Sequence, residues 1–137
     1  MNKNALGYIA SHPFWNDSYL PQRIQNNLVR NYCESKKYSL IWSIPEVSIG
    51  YRSTPALNNF LLTINNEIEK VIFISYQMNH PTSIIKSIAK ILEKSLEVHF
   101  VIENCHIKNL IEFEDLIPEI RLSYLLSKNN TSPLLEI

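Results

Sequence analysis

Ten side chains that could react with or bind a substrate fall at predicted strand ends or in the first turns of a predicted helix. Three of them, His12, Glu46 and Glu103, could transfer protons, because imidazole and carboxyl groups are common general acids and bases. The other seven offer hydroxyl, amide, guanidinium or imidazole groups for substrate binding: Ser11, Gln22, Arg23, Asn26, Tyr76, Gln77 and His80. Together they predict acid–base chemistry on a small polar molecule without a cofactor.

Each of these residues also has a structural interpretation. A histidine such as His12 can hydrogen-bond the end of a strand, and Glu46 and Glu103 can be helix-capping or solvated carboxylates. Ser11 lacks the Gly-x-Ser-x-Gly turn that exposes a nucleophilic serine. No histidine has a partner at metal-ligand spacing, so no metal site is predicted, and His99 is interpreted as a packed residue within a strand.

Alternating segments of two kinds position these residues. Short runs of β-branched, aromatic and leucine residues predict strands at 7–11, 38–44, 71–76 and 98–102, with helices between them. This alternation is typical of right-handed βαβ crossovers. We therefore expect an α/β fold, a three-layer open sheet of about four parallel strands. Ligands of such sheets bind outside the carboxyl ends of the strands, where the ten candidates fall.

The carboxyl-terminal part is predicted to be helical. Residues 110–127 carry apolar side chains at mixed helical spacing around Pro118, which predicts one kinked helix or two short ones, packed on the sheet or on a second subunit. We expect one domain over 1–128, a frayed tail over 129–137, and a homodimer.

Composition excludes several classes of function. The charges balance at 13 basic and 13 acidic residues, which disfavours nucleic-acid binding. Only two glycines, Gly7 and Gly50, argue against a glycine-rich phosphate loop. No run approaches the ~20 apolar residues of a membrane span, so we expect a cytoplasmic protein that does not bind membranes. Cys33 and Cys105 are expected to be reduced thiols.

The segment 44–104 resembles the amino-terminal domain of serine recombinases. It carries Gly50-Tyr-Arg-Ser-Thr-Pro-Ala-Leu57, a helix, the strand at 71–76, another helix, and Val98-His-Phe-Val-Ile-Glu-Asn104. The resemblance implies a resolvase-like fold, with a flavodoxin-like sheet as the alternative. It does not imply recombination, because Tyr8-Ile-Ala-Ser11 lacks the family's arginine and the turn at 77–81 lacks the arginines that stabilise phosphoryl transfer.

A second resemblance covers 7–106. Gly7-Tyr-Ile-x-Ser11, His12-Pro-Phe14, Pro21-Gln-x-Ile-Gln-Asn26, Arg30-x-Tyr-Cys33, Ser75-Tyr76 and His99-Phe-x-Ile-Glu103 resemble the sporadic carbohydrate cluster proteins of bacterial surface-polysaccharide gene clusters. In that family an arginine commonly stands near the position of His12. The resemblance implies a pathway, the synthesis of O-antigen or capsule, without a reaction.

Two hypotheses follow. The first is a small enzyme, an isomerase or epimerase, acting on a sugar phosphate, nucleotide sugar or keto sugar, with the amino terminus of the Pro21 helix and Arg23 holding a phosphate. The alternative is a non-catalytic binding or scaffolding subunit of the same pathway. One polar pocket at the strand ends would favour the enzyme, and filling of that edge by Phe14, Trp15 and Tyr19 would favour the scaffold. A third option, a nucleic-acid protein, would need a basic patch around Arg23, Arg30 and Arg52.

Overall fold

The computed structural model describes residues 3–11, 13–46, 54–63 and 67–129. A single 3₁₀ turn, Tyr76–Met78, separates the third strand from the third helix. The strands and helices of the described residues are, in chain order, β1 (Asn4–Ala10), α1 (Gln22–Lys36), β2 (Ser39–Glu46), α2 (Pro55–Thr63), β3 (Lys70–Phe73), α3 (Pro81–Glu93), β4 (Glu97–Phe100), β5 (Cys105–Ile107) and α4 (Leu110–Asn129).

The strands form one five-stranded sheet in the order β2-β1-β3-β4-β5. Strands β1 to β4 pair in parallel, which confirms the predicted α/β sheet. The fifth strand, β5, was not predicted; it pairs antiparallel with β4. A tight turn with Asn104 in the left-handed region (φ 53) reverses the chain before it, and β5 has only three residues, too few to show a period of two.

Helices cover both faces of the sheet, as expected for three layers. Gly7 faces α1, because Val29 of that helix lies 3.1 Å from the position of an added Cβ. Tyr8, the next residue, bonds Glu46, whose carboxylate also contacts the first turn of α2. Successive side chains of a strand point to opposite faces, so α1 and α2 lie on opposite sides. Helix α3 packs against α2 and α4 on the second side.

The reversal of strand order lies between β1 and β3. From β1 the chain crosses to β2 on one side, and then to β3 on the other side of β1. The core around this point is apolar, and all four side chains of β3 are buried. The loops that follow β1 and β3 therefore flank the place where sheets of this type bind ligands.

Several predicted boundaries were wrong. β2 continues through Pro45 to Glu46, because an edge strand can accommodate a proline, which lacks an N–H donor. β3 and β4 end at Phe73 and Phe100, earlier than predicted. Of the two alternatives predicted for the carboxyl-terminal part, the structure has the single helix, since α4 runs from 110 to 129 with Pro118 exposed within it.

The buried stripe of α1 differs from the predicted one. The spacing of Ile24, Leu28 and Tyr32 predicted the core face, but Ile24 is 39% exposed and Leu28 is half-buried. The fully covered side chains lie mostly one position later: Gln25, Val29, Tyr32 and Cys33. A shift of one residue rotates a helix face by about 100°, and tertiary contacts of Gln25 decide it here.

Gly7 allows α1 and β2 to approach β1 closely. A Cβ at this position would lie 2.5 Å from Ser43 Oγ and 3.2 Å from Ser43 Cβ. We expect Gly7→Ala to lower the free energy of unfolding by about 1–3 kcal/mol through overpacking, measured by urea denaturation. Adding Ser43→Gly should restore part of that loss. Unchanged stability of Gly7→Ala would contradict this account.

Candidate functional site

The carboxyl edge near β1 and β2 holds one group of predicted site residues. The Ser11 hydroxyl donates to the main-chain oxygen of Glu46 at 2.7 Å, and the Tyr8 hydroxyl donates to the Glu46 carboxylate at 2.5 Å. The same carboxylate accepts the backbone N–H groups of Ala56 at 2.8 Å and Leu57 at 3.3 Å. Glu46 therefore caps the amino terminus of α2.

The environment of Glu46 is closed. Glu46 is 1% exposed, and burial together with the neighbouring carboxylate raises the pKa of Tyr8 well above its usual value. Tyr8 therefore stays protonated at neutral pH and donates its hydrogen bond permanently. The geometry gives Glu46 three internal donors and favours the structural interpretation of this residue.

A second group lies at the carboxyl ends of β3 and β4. The Ser75 hydroxyl donates to the Glu103 carboxylate at 2.6 Å, and the backbone N–H of Tyr76 donates to it at 3.3 Å. Burial raises the pKa of Glu103, although these hydrogen bonds oppose the change. Glu103 is half-buried and so remains open to solvent on one side. Ser75 also accepts the N–H of Gln77 at 2.9 Å.

Aromatic side chains pack at the reversal of strand order. Trp15, in the loop after β1, is fully buried and donates its indole N–H to the main-chain oxygen of Asn79 at 2.5 Å, in the loop after β3. Its ring lies 5.7 Å from that of Tyr76 and 5.2 Å from that of Tyr124. Phe14 is buried beside it, whereas Tyr19 is exposed. Trp15 therefore packs at this edge, whereas the side chain of Tyr19 does not take part in the packing.

The polar side chains at the start of α1 differ in burial. Gln25 is buried and brackets the end of β1, since its amide oxygen accepts the Ala10 N–H and its amide nitrogen donates to the Ala10 and Leu20 oxygens. Arg23 is exposed, and Gln22 and Asn26 are half-buried. Of these four side chains, Gln25 therefore has a structural role at the end of β1.

His80 stands apart from both groups. Its Nδ1 accepts the Thr82 N–H at 3.2 Å and so caps α3, and its ring lies 5.4 Å from that of Tyr124. Together with Arg121 and Leu125 it borders an open cleft of about 250 Å³. His12 lies outside the described residues, as does Arg52 of the predicted basic patch.

A buried polar network, missed by the sequence analysis, lies between α1 and the strands. The Lys70 ammonium contacts the carboxylates of Glu69 at 2.6 Å and Glu97 at 3.2 Å. Glu97 also contacts His99 Nε2 at 3.0 Å. The other ring nitrogen, His99 Nδ1, lies 2.8 Å from the Tyr32 hydroxyl. Burial lowers the pKa of His99 to about 4. One signal in the sequence could have indicated this network. Glu97 and His99 stand two residues apart in one strand and so share a face of the sheet, where Lys70 of the neighbouring strand pairs with Glu97.

The thiols and the acidic groups offer little further chemistry. Cys33 and Cys105 are free, and burial raises the pKa of each to about 11, so neither is a reactive thiolate at neutral pH. Across the part of the chain that the structure describes, no three His, Cys, Asp or Glu side chains are placed to hold a metal ion. Among those same residues, no helix is long and apolar enough to span a bilayer.

The fold is an α/β sheet of the resolvase type with an antiparallel fifth strand and a long carboxyl-terminal helix. The chain is similar to the crystal structure of a resolvase family site-specific recombinase from Streptococcus pneumoniae, with a TM-score of 0.65, 8% sequence identity and 97% of each chain covered. At that identity the likeness concerns the fold alone. No protein-family model and no curated protein matches the sequence.

Proposed function

We propose that this protein is a non-catalytic binding or scaffolding subunit in the synthesis of bacterial cell-surface carbohydrate. The pathway rests on the motif resemblance over 7–106. The absence of catalysis is supported by one observation above all, the three internal hydrogen bonds that Glu46 accepts. A general acid or base must reach a substrate proton, and a 1% exposed carboxylate with three donors does not.

The aromatic residues of the carboxyl edge support the same proposal. Trp15 joins the loops after β1 and β3 through its indole N–H and packs on Tyr76 and Tyr124. These contacts take up part of the space in which a substrate of such a sheet would lie. The fold is kept while the usual site is used for packing.

Helix α4 supplies the surface for assembly, which we propose to be a homodimer. Leu122, Leu125 and Leu126 are 51–59% exposed, and the last two lie one helical turn beyond Leu122, at three and four residues from it. Leu110 and Ile111 are also exposed, at the other end of the helix. Apolar stripes of this kind mark protein interfaces more often than free surfaces.

The assembly prediction concerns the mass of the protein in solution. The double variant Leu122→Glu/Leu125→Glu should be monomeric by light scattering, whereas the unaltered chain is a dimer, because charges would be buried unpaired in the interface. Leu62→Glu, at an 81% exposed leucine of α2, is the matched control and should remain dimeric. A monomeric unaltered chain would refute the proposed assembly.

The enzyme remains the second candidate, favoured by the pair formed by Ser75 and Glu103. Glu103 is half-buried, and burial raises the pKa of its carboxyl above the usual value, which is the direction that favours a general acid. In this candidate Glu103 would work with His12, and Tyr76 and Gln77 would orient a sugar phosphate, nucleotide sugar or keto sugar for isomerisation or epimerisation.

Complementation in the native host separates the two candidates. Deletion of the gene should alter the surface polysaccharide profile on gels, and a chain carrying Glu103→Gln should restore it, since the amide oxygen can accept the Tyr76 N–H while the amide nitrogen donates to the Ser75 hydroxyl. If the folded Glu103→Gln chain fails to restore the profile, the non-catalytic proposal is wrong and the enzyme is favoured.

A further inference from the structure

A polar cleft lies between α1 and the edge strand β2, away from the carboxyl edge. Its volume is about 530 Å³, within the roughly 300–1,000 Å³ of small-molecule sites. Helix α1 and strand β2 form its two walls. The residues that line it with polar side chains are Asn26, Arg30, Glu34, Tyr38 and Ser43.

The polar groups of this cleft differ from those of the carboxyl edge because they are uncommitted. Asn26, Arg30 and Glu34 stand four residues apart on α1 and therefore share one face of the helix. Within the described part of the chain none of these three side chains makes a hydrogen bond or ion pair, although Arg30 and Glu34 are one turn apart. Each is free to bind a ligand.

The balance of charge in the cleft indicates the class of ligand. One guanidinium and one carboxylate leave no net charge, which disfavours an anion such as phosphate. An amide, a guanidinium, a carboxylate and two hydroxyls supply both donors and acceptors, as vicinal hydroxyl groups require. Tyr38 borders the cleft and adds aromatic surface, whereas the ring of Trp42 lies 6.4 Å from that of Phe60 in α2, on the opposite face of the sheet.

The edge strand contributes polar groups of its own. Among the described residues β2 is the terminal strand of the sheet, so no described strand pairs with the backbone groups on its outer side. Its pairing with β1 is interrupted at Ile41, where the register shifts by one residue. Together with Pro45, this bulge leaves only a short stretch for another strand to pair with, which favours a small molecule over an added peptide.

We propose that the cleft between α1 and β2 binds a neutral carbohydrate of mono- or disaccharide size, held by Asn26, Arg30 and Glu34. The proposal deepens, and rests on, the proposed role as a binding subunit in carbohydrate synthesis. It assigns the ligand to a site other than the carboxyl edge, and it requires no chemical step.

Titration of ¹⁵N-labelled protein with methyl glycosides of glucose, galactose and N-acetylglucosamine, and with their disaccharides, tests the proposal. At sugar concentrations up to about 50 mM, which reveal millimolar Kd values, we expect saturable shifts of the amide signals of residues 26–34 and 40–43 for at least one sugar. Asn26→Ala and Arg30→Gln should each raise the Kd for that sugar by about tenfold or more.

The neighbouring Asn27→Ala is the matched control, because Asn27 is exposed on the same helix but does not line the cleft. It should leave the Kd unchanged. Absence of saturable shifts for every sugar, equal weakening by Asn27→Ala, or tighter binding of inorganic phosphate or of glycylglycine would each overturn the proposal. The two proposals fail in different experiments. If no sugar binds the cleft, the expected dimer and the expected complementation by Glu103→Gln still stand. If Glu103→Gln fails to complement, the non-catalytic function is wrong, but sugar binding to the cleft is unaffected.

Discussion

Glu46→Ala is expected to lower the free energy of unfolding by about 1.5–5 kcal/mol, a large fraction of the stability of an ordinary domain. The variant removes the acceptor of the buried Tyr8 hydroxyl and the cap of α2 at the same time. An unsatisfied buried donor costs about 1–3 kcal/mol, and loss of a cap about 0.5–2 kcal/mol. Urea denaturation followed by circular dichroism measures the change.

Tyr8→Phe separates the two parts of this effect. It leaves the carboxylate with the backbone donors of Ala56 and Leu57, so α2 keeps its cap, and we expect a loss of about 1–2 kcal/mol. In the double variant the losses should be less than additive, because both residues belong to one hydrogen bond. A stable Glu46→Ala protein would show that the carboxylate is not structural, and would return Glu46 to the list of acid–base candidates.

The arrangement of the sheet could be predicted from the sequence because it depends on regular patterns. Alternating strands and helices imply parallel pairing, and parallel pairing brings strand ends together. Ser11 and Glu46 are 35 residues apart, and a hydrogen bond of 2.7 Å nevertheless joins them at the expected edge. The position of these groups followed from topology alone.

The sequence could not predict whether the side chains at this edge are free to bind a substrate. The carboxylate of Glu46 is occupied because the first turn of α2 approaches it, a tertiary contact with no signature in spacing. Gln25 replaces Ile24 on the core face of α1 because three backbone groups need its amide, and hydrophobic periodicity does not register such a need. The position of these side chains in the fold could thus be predicted, whereas their hydrogen-bond partners could not.

The hydrogen-bond partners of His99 were not predicted from the sequence either. The burial of this residue predicts that the protein loses stability in acid. In the folded protein its pKa is lowered to about 4 by burial, against 6.5 in the unfolded chain. Glu97 accepts the Nε2 proton and Nδ1 accepts the Tyr32 hydroxyl proton, so the folded network holds the neutral ring. Below pH 6.5 the unfolded chain binds a proton that the folded protein does not, and stability therefore falls with pH.

We expect this loss to reach about 2–3 kcal/mol between pH 7 and pH 4.5. Glu97 contributes only near and below the lower limit of this range, because its pKa lies below the usual 4.5 despite burial: the contacts with His99 and Lys70 stabilise its charged form. The stacked His106, the ring of Tyr38 and Lys70 complete the surroundings of His99.

His99→Gln tests the linkage, since glutamine can hydrogen-bond but does not titrate. We expect it to flatten the dependence of the free energy of unfolding on pH between 6.5 and 4.5, measured by urea denaturation at each pH. His106→Gln, at the exposed ring that stacks on His99, is the control and should keep the dependence. If the His99→Gln protein loses stability with falling pH as steeply as the unaltered chain, the titrating group lies elsewhere and the network is not the acid-sensitive element of this fold.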